Sequence, residues 1–122
     1  MKFALLALAL MCSGLLLSLA GCSTDQPGTT NTLGTYTSSV GATPDKVTSA
    51  AKASLDDLKM QGTVMSGTKV DGVVTGRTAQ GDDIKIDIVQ DGDNVSKVTI
   101  RVGTTGDDAI SKQILDGIKK HL

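Results

Sequence analysis

Ile84-Lys85-Ile86-Asp87-Ile88 is the stretch that decides the fold of this chain. Its isoleucines alternate with charged residues, and because successive side chains of a strand point to opposite faces of a sheet, the pattern predicts a half-buried strand. The turn residues 91–94 (DGDN) follow, and Val98, Ile100 and Val102 then repeat the alternation. We expect these two strands to pair antiparallel, since a parallel crossover needs about a dozen residues or more.

Three further strands are predicted upstream. Residues 63–70 and 73–79 are rich in β-branched residues, and Asp71-Gly72 between them is a hairpin signal because Gly can adopt positive φ. Residues 33–40 alternate loosely and are dominated by Thr and Ser, which is typical of a first strand at the edge of a sheet.

Two amphipathic helices complete the pattern. The first opens at Thr43-Pro44, with Thr43 as its cap, and Gly62 is its predicted stop. Its apolar residues recur at helical spacing: Val47, Ala50, Ala51, Leu55 and Leu58. The second begins at Asp107 or Asp108, and its apolar arc is Ile110, Ile114, Leu115, Ile118 and Leu122.

The element order is therefore β-α-β-β-β-β-α. It predicts an α+β fold, in which an antiparallel sheet of four to five strands carries both helices on one face. The other face would show Lys85, Asp87, Thr99 and Arg101 to water. Residues 36–122 are too few for two hydrophobic cores, so we expect one domain.

The N-terminus carries an export signal. Lys2 provides a positive charge, residues 4–17 an apolar run and residues 18–21 a cleavage region ending in small residues. Leu19-Ala20-Gly21-Cys22 resembles the lipobox of bacterial lipoproteins. The resemblance implies cleavage between Gly21 and Cys22, which removes a signal peptide of residues 1–21, and acylation of the Cys22 thiol. Each buried methylene contributes about 0.8 kcal/mol, so two or more acyl chains make a stable membrane anchor.

The alternative is an uncleaved transmembrane helix over Phe3–Ala20, which approaches the roughly 20 residues needed to span a bilayer. Ser13, Gly14 and Ser18 weaken that alternative. We favour the lipoprotein interpretation because the small-residue cleavage site and the positioned cysteine are two separate requirements met together.

Residues 22–35 are predicted to be the acylated Cys22 followed by a disordered tether, since they are rich in Thr, Ser, Gly and Asn and have little to bury. In lipoproteins of enteric-type bacteria, Ser at the position of Ser23 permits transfer to the outer membrane. By that resemblance we expect the domain to be anchored to the outer membrane and to face the periplasm. Cleavage would remove Cys12 and acylation would block Cys22, so no disulfide is expected.

The folded part resembles a family of short bacterial lipoproteins known as a domain of unknown function. The resemblance lies in the helix over residues 44–58, in Val74-Thr75-Gly76-Arg77, and in residues 98–103 (VTIRVG) with Gly106-Asp107 and the final Ile-rich helix. Members often carry an aromatic residue after the position of Val47, where this chain has small residues. More remotely, the element order is similar to the helix-grip domains of an outer-membrane barrel-assembly accessory lipoprotein, an analogy of fold that transfers no function.

Charge and composition argue against nucleic acids and sugars as partners. All 13 acidic residues are Asp, and the 12 bases without Lys2 leave 11, so the chain after cleavage has a side-chain balance of 11 minus 13, or −2. A nucleic-acid partner is not expected, because that class needs a clustered basic face. Tyr36 is the single aromatic residue after the signal, so platforms for stacking bases or sugars are missing.

Two patterns in the sequence resemble ligand sites. Asp82, Asp83, Asp91 and Asp93 could suggest a metal, but an EF-hand needs a distal Glu and the chain has none, so hairpin turns are favoured and no metal is expected. The loop Gly103-Thr-Thr-Gly106 precedes a helix and could offer N–H groups to a phosphate. The adjoining Asp107 and Asp108 would repel phosphate, which favours a capped helix start. Gly103, Gly106 and Asp107 remain candidate residues of a functional loop.

Catalytic residues and cofactors are not expected. The single His, His121, lies beside the C-terminus, no G-x-S-x-G elbow exists, and Ser111 has no fixed base.

We therefore predict a noncatalytic periplasmic domain that binds another envelope protein or supports envelope assembly, through the open face of the sheet or an edge strand. The alternative is a small-molecule or lipid-binding module in which Met60 and Met65 line an apolar cleft.

Overall fold

The computed structural model describes residues 30–32 and 34–122. Its elements are β1 Thr30–Thr32, β2 Thr35–Val40, α1 Pro44–Asp57, β3 Gln61–Gly67, β4 Asp71–Arg77, β5 Asp83–Gly92, β6 Val95–Val102 and α2 Asp108–Lys120. The strands form one antiparallel sheet in the order β1-β2-β6-β5-β4-β3.

The predicted α+β fold is confirmed, with five strands, β2 to β6, and two helices in the order β-α-β-β-β-β-α. One short strand adds to it. Thr30–Thr32, predicted to belong to the tether, forms β1 and pairs antiparallel with β2. Gly34, at φ 76°, makes the turn between them in a conformation that suits glycine. The predicted signal peptide and the tether up to residue 29 lie outside the described residues.

The ladder between β5 and β6 lies at the centre of the sheet. Ile84, Ile86 and Ile88 are paired with Val102, Ile100 and Val98, and all six side chains are buried on the face that carries the helices. Their charged neighbours Lys85 and Arg101 are also paired, and both are exposed on the other face. The predicted strand faces are therefore confirmed.

Both helices pack on the isoleucine face. Val47, Ala51 and Leu55 of α1, and Ile114, Leu115 and Ile118 of α2, are fully buried against the strands. Each Leu, Ile or Val removed from water contributes about 1.5–3 kcal/mol. These aliphatic side chains fill the space between sheet and helices, with Tyr36 as the aromatic member of the core.

The predicted turn at Asp71-Gly72 is wrong. The β3–β4 turn is centred two residues earlier, on Lys69 and Val70. There the Thr68 N–H donates to the Asp71 carbonyl at 2.8 Å, and the Thr68 hydroxyl donates to the Asp71 carboxylate at 2.7 Å. Gly72 lies within β4, opposite Gly67. A Cβ on Gly72 would overlap the hydroxyl of Thr48 on α1. Glycine is needed there because helix and strand approach closely, and the turn does not require it.

The predicted end of α1 at Gly62 is also wrong, because the helix ends at Asp57. Lys59 adopts a left-handed φ of 57°, and its N–H donates to the Asp56 carbonyl at 3.0 Å. The Met60 N–H donates to the Leu55 carbonyl at 3.0 Å. These two bonds form a Schellman motif with Lys where Gly is usual. Sequence reasoning missed it because Lys gives no stop signal.

The cap of α1 differs from the prediction as well. Thr43 occupies the cap position, but its side chain makes no capping hydrogen bond. Its hydroxyl donates instead to the Asp45 carboxylate, which also accepts from the backbone N–H groups of Lys46 and Asp45. The Thr43 hydrogen bond is the main cause that lowers the pKa of Asp45 below its ordinary 3.8, against a smaller opposing effect of desolvation.

We expect Asp45→Asn to lower the Tm at neutral pH. A carboxyl whose pKa is lower in the folded state stabilises the fold above its unfolded pKa, and this contribution disappears as pH falls through the folded value. The Tm difference from the parent chain should therefore shrink as the pH falls below 3.8. Thermal melts from neutral to acidic pH measure it, with the turn variant Asp93→Asn as control. An equal loss of Tm at all pH values would contradict the assignment.

The two helices meet at a glycine. Ser54 of α1 is buried, and its hydroxyl donates to the Ile114 carbonyl of α2 at 2.8 Å. A Cβ on Gly117 would overlap the Ser54 hydroxyl. The absence of a side chain at Gly117 therefore permits the close contact between the helices.

We expect Gly117→Ala to destabilise the domain, although Ala is the better helix former by about 1 kcal/mol. The overlap with Ser54 leaves no room for a methyl group, and overpacking costs about 1–3 kcal/mol. Denaturant melts measure the change. Gly41→Ala is the control, since no atom lies within 4 Å of a Cβ built there.

A double-mutant cycle isolates the contact. Combining Gly117→Ala with Ser54→Gly should lose less stability than the two single losses added together. Strict additivity would contradict the steric explanation.

Candidate functional site

The loop after β6 contains the predicted candidate residues Gly103, Gly106 and Asp107, and the structure shows what each contacts. Gly103 has φ 69°, and its N–H donates to the Asp83 carbonyl at 2.8 Å. The Arg101 guanidinium donates to the Thr104 carbonyl at 2.8 Å. Both bonds fix the path of the backbone as it leaves the sheet.

Gly106 forms a close contact between two loops. Its φ is 82°, and a Cβ there would overlap the backbone of Gly34, in the turn between β1 and β2. A Cβ on Gly34 would in turn overlap the carbonyl of Thr105. Side chains would separate the two loops, so their glycines are required by backbone-to-backbone packing.

Asp107 is the cap of α2, as the sequence predicts. Its carboxylate accepts the Ile110 N–H at 3.0 Å, and its carbonyl accepts the Ser111 N–H at 2.9 Å. Asp108 adds a second negative charge in the first turn, while Lys119 and Lys120 lie in the last, an arrangement that complements the helix dipole. The N-terminus of α2 already holds a carboxylate where a phosphate would bind.

We expect Asp107→Ala to destabilise the domain by about 1 kcal/mol, the usual cost of losing a cap. Asp107→Asn should keep most of that stability, because its amide oxygen still accepts the Ile110 N–H. Chemical unfolding of both variants measures the difference. Equal stability of the Ala variant and the parent would mean that the cap contributes little and would revive a functional role for Asp107.

The acidic turn residues do not converge on one site. Asp82 and Asp83 lie at the start of β5, and Asp91 lies near its end. At about 3.4 Å per residue, eight residues of strand separate Asp83 from Asp91 by about 27 Å. Asp83 is paired with Arg77 at 3.1 Å. Across residues 30–32 and 34–122, no three His, Cys or Asp side chains are grouped so that they could hold a metal ion.

His121 lies at the end of α2, where its Nε2 is 2.5 Å from Asp57 Oδ2 at the end of α1. The pair joins the ends of the two helices across their exposed side. Sequence reasoning placed His121 in solvent and missed Asp57, because 64 residues separate the two in the chain.

Met60 and Met65 are not brought together as walls of a cleft. Met60 packs against the edge of the core, whereas Met65 is 47% exposed on β3. Met65 lines a shallow surface groove of about 600 Å³ between the first turns of α1 and the end of β3, with Thr48, Gly67 and Lys69 among its other walls.

The sequence predicts binding through the open face or an edge strand without saying which strand lies at an edge. The structure shows that β3 is an edge strand. It is the last strand of the sheet, and six of its seven residues are exposed. Val64, at 62% exposure, and Met65 are apolar, and residues 61–67 carry no charge. The lack of charge in residues 61–67 is visible in the sequence. That this strand lies at an edge of the sheet depends on the strand order, which the sequence does not give.

The predicted signal peptide and lipid attachment site lie outside the residues that the structure describes. Gly21 and Cys22 precede the first described strand, and so does the apolar run over Phe3–Ala20. Among the helices that the structure describes, none is long and apolar enough to cross a membrane.

A comparison with known families finds a match over nearly the whole chain. A family model described as a protein of unknown function, DUF3568, matches residues 5–121. The match therefore covers most of the apolar N-terminal run as well as the described domain up to His121. A search of curated proteins finds no match.

Proposed function

The chain belongs to the DUF3568 family of proteins of unknown function, and from that premise we propose that it is a bacterial lipoprotein whose noncatalytic domain binds another protein of the cell envelope. The anchor would be the acylated Cys22. The expected location is the outer membrane with the domain facing the periplasm, as the identity of Ser23 favours.

The observation that carries the proposal is the sequence Leu19-Ala20-Gly21-Cys22 at the end of an apolar run. The family match begins at residue 5 and so includes most of that apolar run together with the domain. Seven residues, 23–29, separate Cys22 from β1. Even fully extended they span only about 25 Å, so the anchor would hold the domain near the membrane surface.

Two features of the domain support protein binding over catalysis. The candidate loop residues have structural contacts, with Asp107 capping α2 and Gly106 packed on Gly34. Among residues 34–122, both helices pack on one face of the sheet and no element packs on the other, where some charges are paired, as for Lys85 and Asp87 at 3.5 Å. A broad, mixed polar face and an open edge suit a macromolecular partner better than a small ligand.

We expect Cys22→Ala to leave an uncleaved precursor that incorporates no labelled palmitate, because both processing steps depend on that thiol. Metabolic labelling followed by electrophoresis measures both effects. Cys12→Ala should be processed and labelled like the parent chain. A labelled Cys22→Ala precursor would contradict the anchor.

The binding role is tested by crosslinking the full chain in cells and identifying the captured proteins by mass spectrometry. A discrete envelope protein captured with the parent chain, but not with Cys22→Ala, would support the proposal. Capture of no specific protein would argue against a protein-binding role and favour the alternative of a small-molecule or lipid ligand.

A further inference from the structure

In the part of the chain that the structure describes, no strand pairs with the outer edge of β3, so this edge offers backbone hydrogen-bonding groups. The Thr68 N–H bonds to the Asp71 carbonyl, which sets the alternation of the β3–β4 ladder. In an antiparallel ladder every second residue is hydrogen-bonded to its neighbour strand, and the residues between point their N–H and C=O groups the other way. By that alternation, Met65 and Gly67 present these groups to the open side.

This edge lacks the usual protection. Natural proteins guard exposed edges with charged side chains or Pro, and residues 61–67 contain neither. The bulge near Gly62 lies at the beginning of the strand, so the stretch from Val64 to Gly67 remains regular. Four of the exposed large hydrophobic residues cluster around this hairpin: Val64, Met65, Val70 and Val89.

We propose that the edge of β3 pairs with the same edge of a second copy of this chain. In an antiparallel self-pair centred on Ser66, Met65 of each copy lies opposite Gly67 of the other. The long side chain then faces a residue without one, so the strand complements itself. A two-fold interface brings residues near their own copies, and a charge near its centre would repel itself. β3 has no such charge.

The surroundings of the edge leave room for the second strand. The groove of about 600 Å³ between α1 and β3 lies beside Met65 and Gly67 on the helix side. On that face α1 leaves open space beside the strand, and Met65 and Gly67 are both exposed. Pairing would join two six-stranded sheets into one of twelve strands, with all four helices on the same face.

The arrangement is compatible with membrane anchoring. The two-fold axis of an antiparallel edge pair runs perpendicular to the sheet, so both copies present the same face in the same direction. Their tethers enter at β1, the strand farthest from β3 in each copy. Both anchors could then reach one membrane. The self-pairing goes beyond the proposed binding of another envelope protein, and it does not depend on acylation of Cys22.

The test uses Ser66→Cys in the full chain, in membranes from expressing cells. Ser66 would face Ser66 of the second copy in a non-hydrogen-bonded pair, where Cα atoms lie about 4.5 Å apart, within the range that a disulfide spans. We expect mild oxidation to give a disulfide dimer on a nonreducing gel. Thr75→Cys, exposed on the interior strand β4, is the matched control. The parent chain, treated in the same way, shows how much crosslinking comes from Cys12 or Cys22 alone.

A second variant tests the pairing without oxidation. Ser66→Lys would place two like charges opposite each other, so the purified chain should fall from dimeric to monomeric protein mass by light scattering in detergent. Ser66→Thr should remain dimeric, and circular dichroism melts should show that both variants fold. Three results would overturn the proposal: a monomeric parent, equal crosslinking of Ser66→Cys and Thr75→Cys, or a Ser66→Cys crosslink to a different protein only.

Discussion

Burial of the paired isoleucines of β5 and β6 is the interaction on which the rest of the structure depends. Ile86 and Ile100 lie opposite each other at the middle of the sheet with no exposed surface, and both helices pack over them. Because successive strand residues point to opposite faces, a shift of one residue in either strand would expose the whole apolar set. The register of the central ladder therefore determines where every other element packs.

A core with one aromatic residue must bring its elements close together. Gly72 allows β4 to approach Thr48 of α1, and Gly117 allows α2 to approach Ser54. Aliphatic cores gain their stability from many short contacts, which a gap of even one methyl group weakens. These glycines are therefore part of the packing of the core, although neither has a side chain to bury.

The packing of α1 on the sheet also determines which part of β3 is exposed. α1 crosses over β3 and β4, and among residues 34–122 nothing packs on the outer side of β3, where Met65 is half exposed beside the groove. An edge without charge or proline is a liability in a protein that stays alone, and an interface in one that pairs. The loop at Gly103–Asp107 shows the opposite situation, because its polar groups and glycines are already engaged in holding β6, α2 and the first hairpin together.

The sequence by itself determined the element order, the buried face of the central strands and the cap at Asp107, because these depend on alternation, helical spacing and neighbours within a few residues. Tertiary structure decided that Gly62 and Gly72 lie within β3 and β4, where the sequence predicted a helix end and a turn, and it decided the contact between Gly106 and Gly34. A glycine signals only that a side chain is missing. Whether a turn, a bulge or a neighbouring helix requires that absence depends on atoms distant in the chain. The open edge of β3 has the same origin, since strand order decides which hydrogen-bonding groups lack a neighbour.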